Sequence, residues 1–239
     1  LLRGFSVAGE VREILTVSPR PFSAAGVVRT AKGRVFVKRH HRSVRDREAL
    51  LEEHRFMQHL LARGGPVPRV LASATGETAI EKDEWTYEVH ETARGLDLYE
   101  DAISWTPFRS VHHARAAGEL LGRLHQAARG YDAPSRTGRP LVAGFTIFAA
   151  ENPSVAMELY LAARPSLAEN DAVRACAAQA LEILAPFHAR LVPLMPVLAP
   201  LWTHNDLHAS NLFWSDAGDN ARATAIVDLG LSDRTNAVH

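Results

Sequence analysis

Hydrophobic residues along the chain follow two different periods. A period of two marks Arg34-Val35-Phe36-Val37-Lys38, approached through Lys32-Gly33 as through a hairpin turn, and Trp85-Thr86-Tyr87-Glu88-Val89-His90-Glu91; both read as strands. In the first, Phe36 and Lys38 share one face while Val35 and Val37 take the other. From about Asp46 to Arg63 the period becomes helical, with Leu50, Met57, Leu60 and Leu61 on one stripe, and Gly64-Gly65-Pro66 stops the helix. Ala117, Leu120, Leu121 and Leu124 make a second amphipathic helix ending in His125, read as a packed core histidine. An Ala-rich helix spans Asp171 to about Leu191 and holds Cys176 and His188, and Ala133 to Pro140 is a turn-rich connector. Near the end, Ala225-Ile226-Val227 reads as a buried strand closing on Asp228 and opening into Leu229-Gly230. The pattern predicts an α+β chain: strands with one helix up to about residue 90, and mostly helices from about residue 96. No internal repeat is visible.

The first helix carries a charge where its pattern calls for an apolar residue. With Leu50 at zero and about 100° per residue, Met57, Leu60 and Leu61 fall at about 340°, 280° and 20°. Glu53 falls at about 300°, inside this stripe, and Glu52 at about 200°, outside it. Glu53 is therefore expected to be buried against a cation, since a buried carboxylate is costly alone. Glu48 and Glu52 read as surface charges.

The candidate chemistry lies in Thr203-His204-Asn205-Asp206-Leu207-His208-Ala209-Ser210-Asn211 together with Asp228. Asp206, Asn211 and Asp228 supply two carboxylates and a carboxamide, the oxygen set that can hold Mg²⁺ against a nucleotide triphosphate and orient a hydroxyl. Asp206 can face the hydroxyl while Asn211 turns back toward the metal, and Asp228 brings a second carboxylate from elsewhere in the chain. Asp, Asn and Ser also gather in ordinary turns, where their side chains bond nearby backbone. The ordered set of His, Asp, Asn and a strand-borne Asp within about 25 residues is far rarer. A zinc reading would use His204 and His208, four apart. That pair lacks a Glu after its first His, and Asn205-Asp206 favours a turn, so His204 is read as structural.

The stretch H-N-D-L-H-A-S-N-L with I-V-D-L-G resembles the aminoglycoside phosphotransferase family, the small-molecule branch of the protein-kinase-like fold that also holds choline, homoserine and sugar kinases. There the loop reads H-G-D-x-H-x-x-N and the metal motif I-D-F or I-D-W; Asn205 stands for the usual Gly and Leu229 for the usual aromatic. The resemblance implies a bilobal fold, a small antiparallel-sheet lobe with one helix over residues 1–92 and a larger, mainly helical catalytic and acceptor lobe over 93–239. It implies Asp206 as catalytic base or hydroxyl-orienting residue, Asn211 and Asp228 as Mg²⁺ ligands, and Lys38 on its strand gripping the phosphates of ATP, held by Glu53. Glu53 through Pro66-Val67-Pro68-Arg69-Val70-Leu71 looks like the family's helix followed by P-V-P-x-V-L, and Leu120 to His125 like its L-x-x-L-H. Backbone from about Glu88 to His90 would meet the adenine edge, and Phe36 stands where the family has a smaller residue over the base. Ser18 to Gly26 holds one Gly and no Walker pattern. The family's Gly-poor loop nominates Ser23 and Ala24 for the phosphates, with a plain hairpin as the alternative.

Composition narrows the remaining choices. Of 239 residues 46% are hydrophobic, enough for a full core, and Lys plus Arg equals Asp plus Glu at 27 each, so no global field draws the chain to nucleic acid or membrane. Apolar runs short of a membrane span, the lack of a signal-peptide pattern and a single cysteine predict a cytoplasmic chain without disulfides. The chain starts without Met and ends at His239, short of the family's further helices, so it is expected to be truncated there. Two functions follow: an ATP-dependent kinase that phosphorylates a hydroxyl of a small metabolite or antibiotic, or a non-catalytic nucleotide-binding relative acting as a regulatory domain. The intact set Lys38, Glu53, Asp206, Asn211 and Asp228 favours the first. A protein kinase is a third reading, weakened by His208 where those enzymes carry Lys. The acceptor's identity, ATP against GTP and the oligomeric state stay open.

Overall fold

A computed structural model describes residues 1–5, 9–136 and 142–238. The chain forms two compact units, Leu1–Asp132 with Asp206–Gly230, and Ala133–Asn205 with Leu231–His239.

The first unit is built on an antiparallel sheet of six strands: β1 (Val11–Ile14), β2 (Ser18–Arg20), β3 (Ser23–Thr30), β4 (Gly33–His41), β5 (Ala79–Lys82) and β6 (Trp85–Glu91). The strand order is β1-β3-β4-β6-β5, with β2 paired to β3. The expected two-residue alternation on β4 holds. Val35 and Val37 pack with Leu2, Phe5, Val28, Leu71 and Val89, while Lys38 and His40 lie on the opposite face. Helix α1 (Arg47–Ala62) begins at Asp46, whose carboxylate accepts from the Ala49 amide at 2.8 Å, and ends before Gly64 at φ 72°. Leu50, Phe56, Met57 and Leu60 are buried, and so are Glu53 and His54. The apolar stripe is thus wider than the sequence pattern suggested, because Phe56 and His54 join it.

Helix α2 (Val111–Ala128) follows, capped by the Ser110 hydroxyl. His125 within it is half-buried, and desolvation pushes its imidazole pKa down. Residues 206–230 return to this unit through β8 (Leu212–Trp214) and β9 (Ala223–Ile226), paired with Leu212 opposite Ile226. Trp214 is fully buried against Tyr99, Phe108 and His113.

The second unit holds α3 (Gly144–Phe148), α4 (Pro153–Ala162), α5 (Pro165–Ala168) and α6 (Asp171–Leu191), with β7 (Pro200–Thr203) paired to β10 (Asp233–Asn236). Its core gathers Ile147, Met157 and Leu161, with Val173, Ala177 and Leu181 of α6 against them. The helical segment Asp171–Val197 is long and apolar enough to cross a membrane by length and composition. The shorter apolar runs had not suggested this, because α6 continues directly into a 3-10 turn. The connector beginning at Ala133 is seen as far as Arg136; its remainder to Pro140 lies outside the described residues.

Candidate active site

A hairpin brings two of the candidate oxygen ligands together. Asn211 precedes β8 and Asp228 follows β9, and the pairing of Leu212 with Ile226 is extended by the Val227 amide donating to the Asn211 carbonyl at 3.0 Å. The Asn211 side chain is fixed as well: Nδ2 donates to the Asp206 carbonyl at 2.8 Å and to His208 Nε2 at 3.2 Å. An amide nitrogen only donates, so His208 Nε2 accepts, and its proton sits on Nδ1, facing Ser210 Oγ at 2.8 Å. With Nδ2 committed, Asn211 offers Oδ1 to a cation. Asp206 lies in the same loop, 3.9 Å from His208 at its carboxylate. Hard oxygen donors on Asn211 and Asp228 fit Mg²⁺, which is commonly held by one or two protein groups together with substrate phosphates and water.

Asp228 stands in left-handed backbone at φ 61°, an unusual conformation for a residue other than glycine. Its carboxylate is half-exposed and receives Lys38 Nζ at 2.9 Å. Burial alone would push the Lys38 ammonium down. The carboxylates of Asp228, Glu88 and Glu53 outweigh that and raise it well above the ordinary lysine value, so Lys38 is charged.

The anchor of the helix differs from the expectation. Glu53 is buried as the helical wheel required, but the cation bonded to it is Arg45, not Lys38: Nη1 meets Glu53 Oε2 at 2.5 Å, and Nη2 donates to the Gly230 carbonyl at 2.8 Å. Arg45 sits in the turn between β4 and α1, where it reaches both the helix and the residues after Asp228. Glu53 acts on Lys38 through its field. The sequence reading missed Arg45, whose signal was a cation directly before the N-cap of a helix bearing a buried carboxylate. A Cβ at residue 230 would lie 2.5 Å from Arg45 Nη1, so a larger residue there displaces the guanidinium.

Glu88 and His90 are placed differently from the adenine-edge expectation. The Val89 carbonyl and Glu91 amide are bonded to Leu71 and Arg69 at 2.8 and 2.9 Å, while Glu88 and His90 are registered opposite Lys38 and Phe36 in the β4 ladder. Both edges of this stretch are paired, so its backbone has no free edge for a base. The side chains of Glu88 and His90 turn inward and are buried. Ser23 is not drawn to Lys38 either. It opens β3 just after a tight hairpin turn, opposite Arg20 and His40.

Beside His208 lies an aromatic residue the sequence did not single out. Trp105 is 66% exposed at φ 69°, its ring centroid 5.5 Å from that of His208. A bulky residue in this conformation is an outlier.

Comparison with known proteins gives this geometry its setting. The model of the phosphotransferase enzyme family matches residues 23–239. The chain belongs to that family. Among solved structures, this phosphotransferase-family chain resembles amicoumacin kinase hAmiN in complex with AMP-PNP, Ca²⁺ and Ami, at TM-score 0.62 and 14% identity over 98% of this chain and 64% of that one. It also resembles an aminoglycoside phosphotransferase from Alicyclobacillus acidocaldarius subsp. acidocaldarius DSM 446, at TM-score 0.58 and 15% identity over 99% and 66%. A thermostable mutant of aminoglycoside phosphotransferase APH(4)-Ia, in ternary complex with AMP-PNP and hygromycin B, matches at TM-score 0.58 and 16% identity over 96% and 70%. These likenesses bear out the expected α+β, protein-kinase-like fold. The chain spans 64% and 66% of the lengths of the first two. No curated protein matches it.

Proposed function

We propose that this protein is an ATP-dependent kinase that transfers the γ-phosphate to a hydroxyl group of a small molecule. The observation that carries the reading is the meeting, in one compact unit, of Lys38 with Asp228 at 2.9 Å beside a hairpin that also fixes Asn211 and the Asp206 loop. Membership of the phosphotransferase enzyme family supports it.

In this reading Lys38 binds the phosphates of the nucleotide as a permanent cation. Asn211 Oδ1 and the Asp228 carboxylate would hold Mg²⁺, which when bound neutralises charge on the phosphate oxygens. Asp206 orients the acceptor hydroxyl in line with the γ-phosphorus and takes its proton as the new O–P bond forms and the bond to the β-phosphate oxygen breaks, leaving ADP. His208 positions Asn211 by accepting from its Nδ2. Since the strand up to Glu91 has no free edge, the base is assigned to the backbone after it, from Thr92 to Arg94. The ligands named in the related structures, AMP-PNP and hygromycin B among them, favour a nucleotide donor and a natural-product acceptor.

The test is ADP release by the purified protein across a panel of hydroxyl-bearing antibiotics and metabolites. Acceptor-dependent release is expected, falling at least about a thousandfold in Asp206→Ala, as for loss of a positioned acid–base group in a site assembled for it. Release that survives this substitution unchanged removes Asp206 from the mechanism.

A further inference from the structure

Behind Lys38, three imidazoles from three different elements converge on one carboxylate. Glu88 of β6 is fully buried; its Oε2 lies 2.8 Å from His54 Nε2 of α1 and 2.8 Å from His90 Nε2 of its own strand, and its Oε1 lies 3.1 Å from His40 Nε2 of β4. All three histidines are buried. The phosphotransfer chemistry proposed above uses none of them. Their arrangement therefore stands apart from that reading.

Charge gives a reason for looking further. Two carboxylates of this unit, Glu53 and Glu88, are buried and are met differently. Glu53 is bonded to the guanidinium of Arg45, whereas Glu88 is bonded to imidazoles and meets Lys38 and Arg45 only through their field. A buried carboxylate favours a cation at the point where its neighbours converge. The donors are suited to a metal: His54 Nε2, His90 Nε2 and a Glu88 oxygen lie within 4.8 Å of one another. The rings of His54 and His90 stand at 83° to each other, so their nitrogens approach the carboxylate from different directions. His54 also has the outer contact common among metal-binding histidines, its Nδ1 lying 2.9 Å from Thr78 Oγ1.

We propose that His54, Glu88 and His90 form a zinc site, with His40 bracing the second oxygen of Glu88. Two imidazole nitrogens and a carboxylate oxygen are a donor set that Zn²⁺ favours over Mg²⁺ or Ca²⁺. On binding, each ring presents its Nε2 lone pair to the metal and keeps its single proton on Nδ1, that of His54 directed to Thr78. Bonds of about 2.0–2.1 Å set tetrahedral ligand atoms about 3.3 Å apart, so the 2.8 Å contacts lengthen by about half an ångström. The three protein ligands leave the fourth tetrahedral position to a water molecule, and with His40 on the second Glu88 oxygen the site fastens β4, α1 and β6 together behind Lys38.

Metal analysis of the tag-free protein decides the matter. Protein produced in zinc-supplemented medium and desalted is expected to carry about one zinc per chain, and its cobalt-substituted form to show the intense visible absorption of a tetrahedral site. His54→Gln and His90→Gln should each weaken zinc binding at least about tenfold in competition with a chromogenic chelator. Asp228→Ala and His208→Gln should retain it. Wild-type protein free of zinc, with a melting temperature indifferent to added zinc and to chelator, overturns the proposal. So does zinc that survives both histidine substitutions or departs with Asp228. Should a histidine variant fail to fold, the zinc content and cobalt spectrum of the wild type decide alone.

Discussion

Arg45→Met is the most informative single substitution for the fold of the site. It removes the guanidinium that meets Glu53 at 2.5 Å while keeping much of the apolar stem. The side chains of Arg45 and Glu53 are 13% and 2% exposed, so the pair is nearly dry. Removing one partner of a buried pair costs about 3–5 kcal/mol because the other charge is stranded. The field of Lys38 still reaches Glu53, which places the expected loss at the lower end, about 3 kcal/mol. Equilibrium urea unfolding at neutral pH, followed by tryptophan fluorescence, measures it directly. In a thermal scan the same loss lowers the midpoint by roughly 6–12 °C. The double variant Arg45→Met with Glu53→Leu should return to within about 1 kcal/mol of wild type, since an apolar replacement of a buried pair is often neutral. It should not recover turnover, because the bond from Arg45 to the Gly230 carbonyl, two residues after Asp228, is still lost. A single-variant loss below about 1 kcal/mol, or a double variant as unstable as the single one, refutes the idea that this pair anchors α1.

Other outcomes are equally specific. Asp228→Ala should abolish the Mg²⁺ dependence of nucleotide binding in calorimetry; dependence that persists would take the metal away from this residue. Gly230→Ala drives a methyl group to 2.5 Å from Arg45 Nη1 and should cost about 1–3 kcal/mol, a penalty that disappears in the Arg45→Met background. In the metal-free protein burial pushes the Glu88 carboxyl up, yet His90 and the hydrogen bonds of the three imidazoles hold it well below the ordinary value of 4.5. Its folded value lies below its unfolded one, so the stability it confers is present above pH 4.5 and is lost as pH falls through the folded value. Glu88→Gln should flatten that acid limb in a denaturation series; an unchanged limb assigns acid sensitivity elsewhere. Trp105→Ala should leave stability within about 0.5 kcal/mol and raise the acceptor KM with little change in kcat, as expected for an exposed ring beside the Asp206 loop.

Local periodicity revealed more of this protein than its long-range contacts. The strand Trp85–Glu91 and the helix Asp171–Leu191 have the limits read from the sequence, because alternation and capping residues act within a few positions. Glu53 could be placed inside by counting around a helix. Its partner could not, because Arg45 reaches it by a fold of the turn that periodicity does not encode. The same limit explains Glu88 and His90. Their strand was legible, but the segment Arg69–Leu71 that covers its outer edge pairs after two prolines, with no alternation to announce it. The histidines around Glu88 come from residues 40, 54 and 90, and only sheet register and helix packing join them. The Asn205 that stands for the family's glycine has a local explanation: it sits at φ 64°, a conformation Asn tolerates better than most residues, and its side chain bonds the Leu231 carbonyl at 3.0 Å.

The hydrogen bond from the Val227 amide to the Asn211 carbonyl makes the proposed ion site a property of one short hairpin. Both oxygen ligands flank strands of three and four residues, so they rise and fall together when that hairpin opens. The exchange rate of this one amide with solvent deuterium is thus a clock for how long the pair of ligands stays assembled. A cation that binds there should slow the clock in proportion to its occupancy, without any movement elsewhere in the chain.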